Sequence, residues 1–127
     1  MRNPSLPLLG AIAGDVIGSV YERRNVKTTN FPLFTPQSRF TDDTVLTMAV
    51  TDAIVNKKDF GKTIWQYGRK YTNRGYGGRF REWLQTENPK PYYSFGNGSA
   101  MRVSAVGVAS DTLPEVLRVA KQSAEVT

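Results

Sequence analysis

The sequence predicts a mostly helical fold. Four segments carry apolar residues at helical spacing, and a long section rich in glycine, proline and aromatic residues separates the third from the fourth. The chain has 127 residues, of which 39% are hydrophobic, so it forms one domain or part of one with room for a sizeable core. No apolar run reaches the roughly 18 to 20 residues that a bilayer span needs. We therefore expect a soluble protein.

The first helix is predicted from Leu8 to Val20, where apolar residues recur at helical spacing and small residues between them allow close packing. Two acids, Asp15 and Glu22, are seven residues apart. If the helix continues through Tyr21, this spacing places both carboxylates on one face, where they can serve one site. Alternatively, a neighbouring backbone group or an arginine satisfies each acid.

The stretch from Leu8 to Val20 also indicates in which cellular compartment the protein is found. Asp15 and several glycines interrupt its apolar run, so a cleaved leader peptide is not expected. The chain also contains no cysteine, which fits a reducing compartment. Both features favour a cytoplasmic protein.

The second helix is predicted from about Asp42 to Asn56, after a loop over residues 25–39 that contains two prolines. Its first residues follow Thr41, and Asp42 and Asp43 form its first turn. One interpretation is structural: Thr41 caps the helix, and the aspartates complement the positive end of its dipole, worth under about 1 kcal/mol each.

The other interpretation of these three residues is chemical. The chain contains no histidine and no cysteine, which excludes a Ser-His-Asp triad, a cysteine nucleophile and an ordinary zinc site. Any site chemistry must then use carboxylates and other oxygen ligands. Hard cations such as Mg²⁺, Mn²⁺ or Ca²⁺ suit that set.

The third helix is predicted from Phe60 to Thr72, and its aromatic residues are expected in the core. Around it, residues 57–81 carry eight lysines and arginines and only one acid, Asp59, within a chain of net charge +6. This stretch is either a solvated basic face or a surface for a phosphate-rich partner. It carries no nucleic-acid motif, so a nucleic-acid partner is not expected.

The section from Asn73 to Phe95 is predicted to be irregular, with one short helix near Phe80 to Gln85. The loop Gly96-Asn97-Gly98 follows. Because glycine and asparagine tolerate positive φ, the loop can curl until successive N–H groups face a phosphate, although a plain turn has the same composition. It lacks the ending of a Walker loop.

The last helix is predicted to begin near Asp111 and to continue toward the chain's end. Its apolar stripe has no helix-stop signal after it and no evident partner within the 127 residues. We therefore expect the chain to be incomplete and to self-associate. The stripe comprises Leu113, Val116, Leu117, Ala120 and Ala124.

Three motifs in register make the chain similar to the ADP-ribosylglycohydrolase family, the group that contains the dinitrogenase reductase-activating glycohydrolase. They are Gly14-Asp15-Val16-Ile17-Gly18-Ser19-Val20-Tyr21-Glu22, Phe40-Thr41-Asp42-Asp43-Thr44 and Gly96-Asn97-Gly98-Ser99-Ala100-Met101-Arg102. The resemblance covers nearly the whole chain. It implies an all-α orthogonal helical bundle in which two Mg²⁺ or Mn²⁺ ions assist hydrolysis of the glycosidic bond of an ADP-ribosylated protein or small molecule.

The resemblance also implies roles for particular residues. Thr41, Asp42 and Asp43 would be metal ligands, and Glu22 would be catalytic, beside the scissile bond. The ADP-ribose cleft would be lined by Ser94, Phe95, Gly96 and Asn97.

Similar family members continue well beyond Thr127, through a histidine-containing segment and a later Asp-x-Asp-Thr set that completes the metal site. Residues 1–127 then represent the N-terminal portion of the domain. Two hypotheses remain: a glycohydrolase that a missing half or a second chain completes, with the chain alone inactive, or a non-catalytic remnant that binds ADP-ribose or phosphate.

Overall fold

The computed structural model describes residues 5–127, and side chains from Leu8 onward. Seven helices and no strand occur in that range, which confirms the all-α prediction. Met1 to Pro4, part of the segment considered for a leader, lie outside it. The helices are α1 (Ser5–Gly18), α2 (Asp42–Val55), α3 (Phe60–Lys70), α4 (Gly78–Gln85), α5 (Gly98–Met101), α6 (Val106–Ala109) and α7 (Leu113–Ala124).

Helix α2 is the central element, and it packs against α1, α3, α5 and α6. Half of its 14 residues are buried, including threonines as well as aliphatic residues, so it lies within the core rather than on its edge. Ala49 and Val50 are completely buried beside Ile64 of α3. A helix surrounded by others can hold its first turn rigidly, because packing restricts it on several faces.

Helix α3 and helix α4 form one wall of this core. Ile64 is completely buried, and the aromatic residues Trp65, Tyr67 and Tyr71 pack against the core while partly exposed. The two helices approach closely at Gly68, where an added Cβ would lie 2.5 Å from a methyl group of Leu84. The predicted helix therefore forms, two residues shorter at its C-terminal end than expected.

Several arginines of the basic stretch serve packing. Arg69 lies over the Trp65 ring at 4.5 Å and donates a hydrogen bond to the Leu84 carbonyl. Arg79 lies over the Tyr92 ring and donates to the Tyr92 carbonyl. Arg69 and Arg79 thus pack against neighbouring aromatic rings while remaining exposed.

Helix α7 covers the core with only part of its apolar stripe. Val116 and Ala120 pack against the core, whereas Leu113 and Leu117 are 69% and 60% exposed.

No helix among the described residues is long and apolar enough to cross a membrane.

Candidate metal centre and substrate cleft

Thr41, Asp42 and Asp43 stand together at the start of α2, as the sequence predicts. Thr41 is the N-cap in extended conformation, and its hydroxyl accepts a 3.2 Å hydrogen bond from the Asp43 N–H. The Asp42 N–H donates to the Arg74 carbonyl at 2.8 Å. The first turn of α2 is thus fixed both by its own cap and by the loop before α4.

Gly75 in that loop comes unusually close to Asp42. It has a φ of +102°, and a Cβ at this position would lie 3.1 Å from an Asp42 carboxylate oxygen. Glycine is favoured here, because L-residues rarely adopt this φ and an added Cβ would make the carboxylate shift by a few tenths of an ångström. The loop therefore forms a wall against which the Asp42 side chain rests.

Asp15 supports the same turn from α1. Its side chain is 9% exposed, and it accepts hydrogen bonds from the N–H and hydroxyl groups of both Thr41 and Thr44. The bond from the Thr41 hydroxyl is 2.6 Å long. Backbone N–H groups thus satisfy Asp15, as one of the two alternatives allowed, although these partners lie 26 to 29 residues away along the chain.

Glu22 does not lie on the helix that carries Asp15. Helix α1 ends at Gly18, and Glu22 follows in an exposed turn, so the condition under which both acids would share one helix face is not met. The turn is held by Ser19, whose hydroxyl donates to the Val16 carbonyl and accepts from the Arg39 N–H. Ending the helix at Gly18 lets the chain fold back toward the start of α2.

Glu22 and Thr41 nevertheless line one cavity of about 680 Å³, here called the Glu22 cavity. Arg39, Arg74 and Gly75 also contribute to its wall. It contains both an acid and several cationic groups, a combination that suits a ligand carrying phosphate beside a reacting bond.

The carboxylates around the start of α2 repel one another. Burial, followed by the charges of Asp43, Glu22 and Asp15, raises the pKa of Asp42 to about 6. Burial and the charges of Asp15 and Glu22 also raise the pKa of Asp43. Neither aspartate forms an ion pair with a lysine or arginine in the described part of the chain. A bound cation would relieve this repulsion.

The described residues do not build a complete metal shell. Nowhere in residues 5–127 do three acidic side chains converge closely enough to hold an ion. Asp42 and Asp43 are adjacent carboxylates of raised pKa, and Thr41 adds a hydroxyl, so the donor set has the oxygen chemistry that Mg²⁺ or Mn²⁺ requires. The residues therefore fit part of a hard-cation site.

The second predicted group surrounds a neighbouring cavity of about 350 Å³, here called the Asn97 cleft. Ser94, Phe95, Gly96 and Asn97 line it, and so does Asp42. Phe95 is 97% exposed, so its ring is free to contact a ligand. Asp42 thus borders the Asn97 cleft, while its neighbour Thr41 borders the Glu22 cavity.

The backbone of this loop agrees with the plain turn, one of the two conformations that its composition allows. None of Gly96, Asn97 and Gly98 has positive φ, whereas Tyr93 does, at +52°. The turn over residues 96–98 leads into α5, a single helical turn in which Asn97 is the N-cap without a side-chain hydrogen bond. The Asn97 amide therefore remains available to a ligand.

A buried arginine, Arg102, joins the Asn97 cleft to the C-terminal residues of the chain by hydrogen bonds. Arg102 is 1% exposed and donates to the Ser123 carbonyl and the Thr127 hydroxyl. The Thr127 carbonyl in turn accepts hydrogen bonds from the N–H groups of Tyr92 and Ser94. Burial lowers the pKa of Arg102 to about 10, a cost that these contacts offset in part.

The order and spacing of the three motifs match a known group of proteins. The family model for ADP-ribosylglycohydrolase matches residues 7–127. The chain belongs to this family. The match confirms the resemblance seen in the sequence, and the helical fold agrees with it.

Curated relatives include the ADP-ribosylhydrolase ARH3 of several vertebrates. The mouse protein is 30% identical over an alignment that covers 94% of this chain. The human protein is 29% identical over the same share of the chain. The Xenopus tropicalis protein is 26% identical. The chain spans only 42 to 43% of the length of these relatives.

Proposed function

We propose that this chain forms part of a hydrolase that cleaves the glycosidic bond of an ADP-ribosylated protein or small molecule, with Mg²⁺ or Mn²⁺ bound at the start of α2. The observation that supports this most is the position of Asp42. It borders the Asn97 cleft, and its carboxylate lies within electrostatic reach of Glu22 and Asp43. A ligand in the cleft would thus reach the acidic cluster.

The family membership and the local chemistry assign roles to the residues. Thr41, Asp42 and Asp43 would hold the ion at the start of α2. A bound cation would stabilise negative charge and orient a water or ribose hydroxyl. Glu22, in the exposed turn after α1, would position that water and stabilise an oxocarbenium-like transition state. Asn97 would hydrogen-bond the ADP-ribose.

We further propose that this chain needs additional ligands for turnover. Mg²⁺ prefers six oxygens in near-octahedral geometry, and the described residues offer about three. Catalysis requires the reacting groups to be held within a fraction of an ångström, which a partial shell does not achieve. A missing C-terminal half or a second chain would supply the rest.

The test is release of ADP-ribose from a modified protein with Mn²⁺ present. We expect negligible turnover by the 127-residue chain, and recovery when a family fragment carrying an Asp-x-Asp-Thr set is co-expressed. Asp43→Ala should abolish the recovered activity. Asp52→Asn is the matched control, because Asp52 lies on the same helix but pairs with Lys58 at 2.9 Å, away from the cluster.

Robust turnover by the chain alone, lost in Asp43→Ala, would contradict the need for a second fragment while retaining the metal assignment. Recovered activity that survives Asp43→Ala would contradict the metal assignment itself. Glu22→Gln should lower kcat more than it raises KM, since a group beside the scissile bond acts mainly on the transition state.

The alternative function is binding of ADP-ribose or phosphate without catalysis. Arg39 of the Glu22 cavity favours it, because this arginine forms no ion pair with an acid among the described residues. Arg74 lies over the Phe40 ring at 3.8 Å and would keep its charge beside the cavity. Calorimetric titration with ADP-ribose in EDTA tests this reading. Binding in EDTA, with no turnover under any reconstitution, would favour the binding function. Binding that requires Mn²⁺ would favour the hydrolase.

A further inference from the structure

We propose that Asp15 is a positioning residue for the metal site: it holds the Thr41 hydroxyl with a lone pair, rather than its proton, directed toward a bound cation. This inference rests on the proposed cation at the start of α2. It adds a residue outside the predicted ligand set, located on a different helix.

The contacts of Asp15 carry the inference. Its nearly buried carboxylate spans the first turn of α2, with one oxygen accepting the Thr41 hydroxyl at 2.6 Å. The other oxygen accepts the N–H groups of Thr41 and Thr44, at 2.8 and 3.2 Å, and the Thr44 hydroxyl. Both threonine hydroxyls donate to this carboxylate, and its oxygens accept.

The orientation of the Thr41 hydroxyl follows from a count of its bonds. Its proton points to Asp15, and one lone pair accepts the Asp43 N–H at 3.2 Å. One lone pair then remains for a cation. Donation to a carboxylate also makes the oxygen more electron-rich, as it does for metal ligands held by an outer layer of hydrogen bonds.

Asp15→Asn reverses this orientation while keeping most of the helix cap. With its carbonyl oxygen facing the two N–H groups and the Thr44 hydroxyl, an asparagine retains those three bonds. Its NH₂ group then faces Thr41 and donates to the hydroxyl. Both Thr41 lone pairs become occupied, and the hydroxyl proton takes the direction that the free lone pair had, where it repels a cation.

The experiment is a Mn²⁺ titration of the 127-residue chain, followed by paramagnetic broadening of backbone amide signals, which detects even weak binding. We expect Asp15→Asn to weaken Mn²⁺ affinity by about 10- to 100-fold, the range seen when second-layer partners of metal ligands are replaced. Thr44→Val removes another bond to the same carboxylate and leaves Thr41 unchanged, so its affinity should stay within about twofold of the parent.

Loss of the Asp15 charge can also weaken binding without any effect on Thr41, and a double-mutant cycle separates the two causes. If Asp15 acts through the hydroxyl, Asp15→Asn should have little further effect in a Thr41→Val background. Thr41→Ser, which keeps the hydroxyl, should restore the full effect of Asp15→Asn. A cooperative urea-unfolding transition, measured in EDTA, shows that each variant is folded before Mn²⁺ is added.

An equal loss of affinity in both backgrounds would assign the effect to charge alone and overturn the positioning role. Unchanged affinity in Asp15→Asn would overturn it as well, while the metal site would stand. Absence of Mn²⁺ binding by the parent chain up to millimolar concentrations would overturn the proposed metal site and this inference together. If Thr41→Val does not fold, a loss of affinity in Thr44→Val equal to that in Asp15→Asn overturns the role by itself.

Discussion

Replacing Gly75 by alanine should destabilise the domain and disturb Asp42 together. Gly75 has a φ of +102°, which costs an L-residue about 1 to 3 kcal/mol. The new Cβ would also lie 3.1 Å from an Asp42 carboxylate oxygen, closer than an ordinary contact, so the carboxylate must shift by a few tenths of an ångström. We expect a loss of about 2 kcal/mol in the free energy of unfolding, roughly a 30-fold change in the folded-to-unfolded ratio.

Urea unfolding in EDTA measures this loss, and Mn²⁺ titration of the same variant measures the effect on Asp42. Gly78→Ala is the matched control, because a Cβ there meets nothing within 4 Å and Gly78 opens helix α4. It should leave stability unchanged or raise it by up to about 1 kcal/mol. Equal stability of Gly75→Ala and the parent would refute the reasoning from φ. A normal Mn²⁺ affinity would refute the contact with Asp42.

Three further predictions concern separate parts of the molecule. In EDTA, the raised pKa of Asp42, about 6, means that the folded state binds more protons than the unfolded state between about pH 4 and 6. Stability should therefore fall by about 1 to 2 kcal/mol as pH rises through that interval, after allowance for solvent screening. Asp42→Asn should remove most of this fall in urea unfolding at pH 4 and 7, and the raised pKa of Asp43 should leave the remainder. Asn97→Ala should weaken ADP-ribose binding by about 1 to 3 kcal/mol in calorimetry, and an unchanged affinity would remove Asn97 from the cleft. Because Leu117 is 60% exposed on α7, light scattering should show association at high concentration that Leu117→Lys reduces, and a parent chain that stays monomeric would contradict this.

Apolar periodicity was sufficient to predict the long helices. Helix α2 begins at Asp42 as predicted, because Thr41 is a strong N-cap and the apolar pattern starts immediately after it. Helix α1 ends earlier than its pattern suggests, at Gly18 rather than Val20. The apolar residue Val20 continues the helical spacing, but tertiary contacts of the following turn determine where the chain leaves the helix.

Long-range partners were not predictable from spacing. The bonds from Asp15 to Thr41 and Thr44 join segments 26 to 29 residues apart, and no local pattern specifies them. The approach of Gly75 to Asp42 is equally tertiary. The only local signal is an acid on a helix otherwise rich in small residues, which indicates that some partner exists without identifying it. Composition left the backbone of residues 96–98 open between a curled loop and a plain turn, and the structure has the turn, with a positive φ at Tyr93.

The electrostatics of the first turn of α2 bear on the two interpretations that its sequence allows. A carboxylate that only complements a helix dipole is stabilised in its charged form, so its pKa falls below the usual value. Burial and neighbouring acids instead raise the pKa of Asp42 to about 6, and the pKa of Asp43 is raised as well. The apo protein therefore gains no stability from ionising these groups, although Thr41 caps the helix normally. A cation bound beside these carboxylates would relieve their repulsion, so the raised pKa values agree with the proposed metal site, while the Thr41 cap shows that the structural role is present as well.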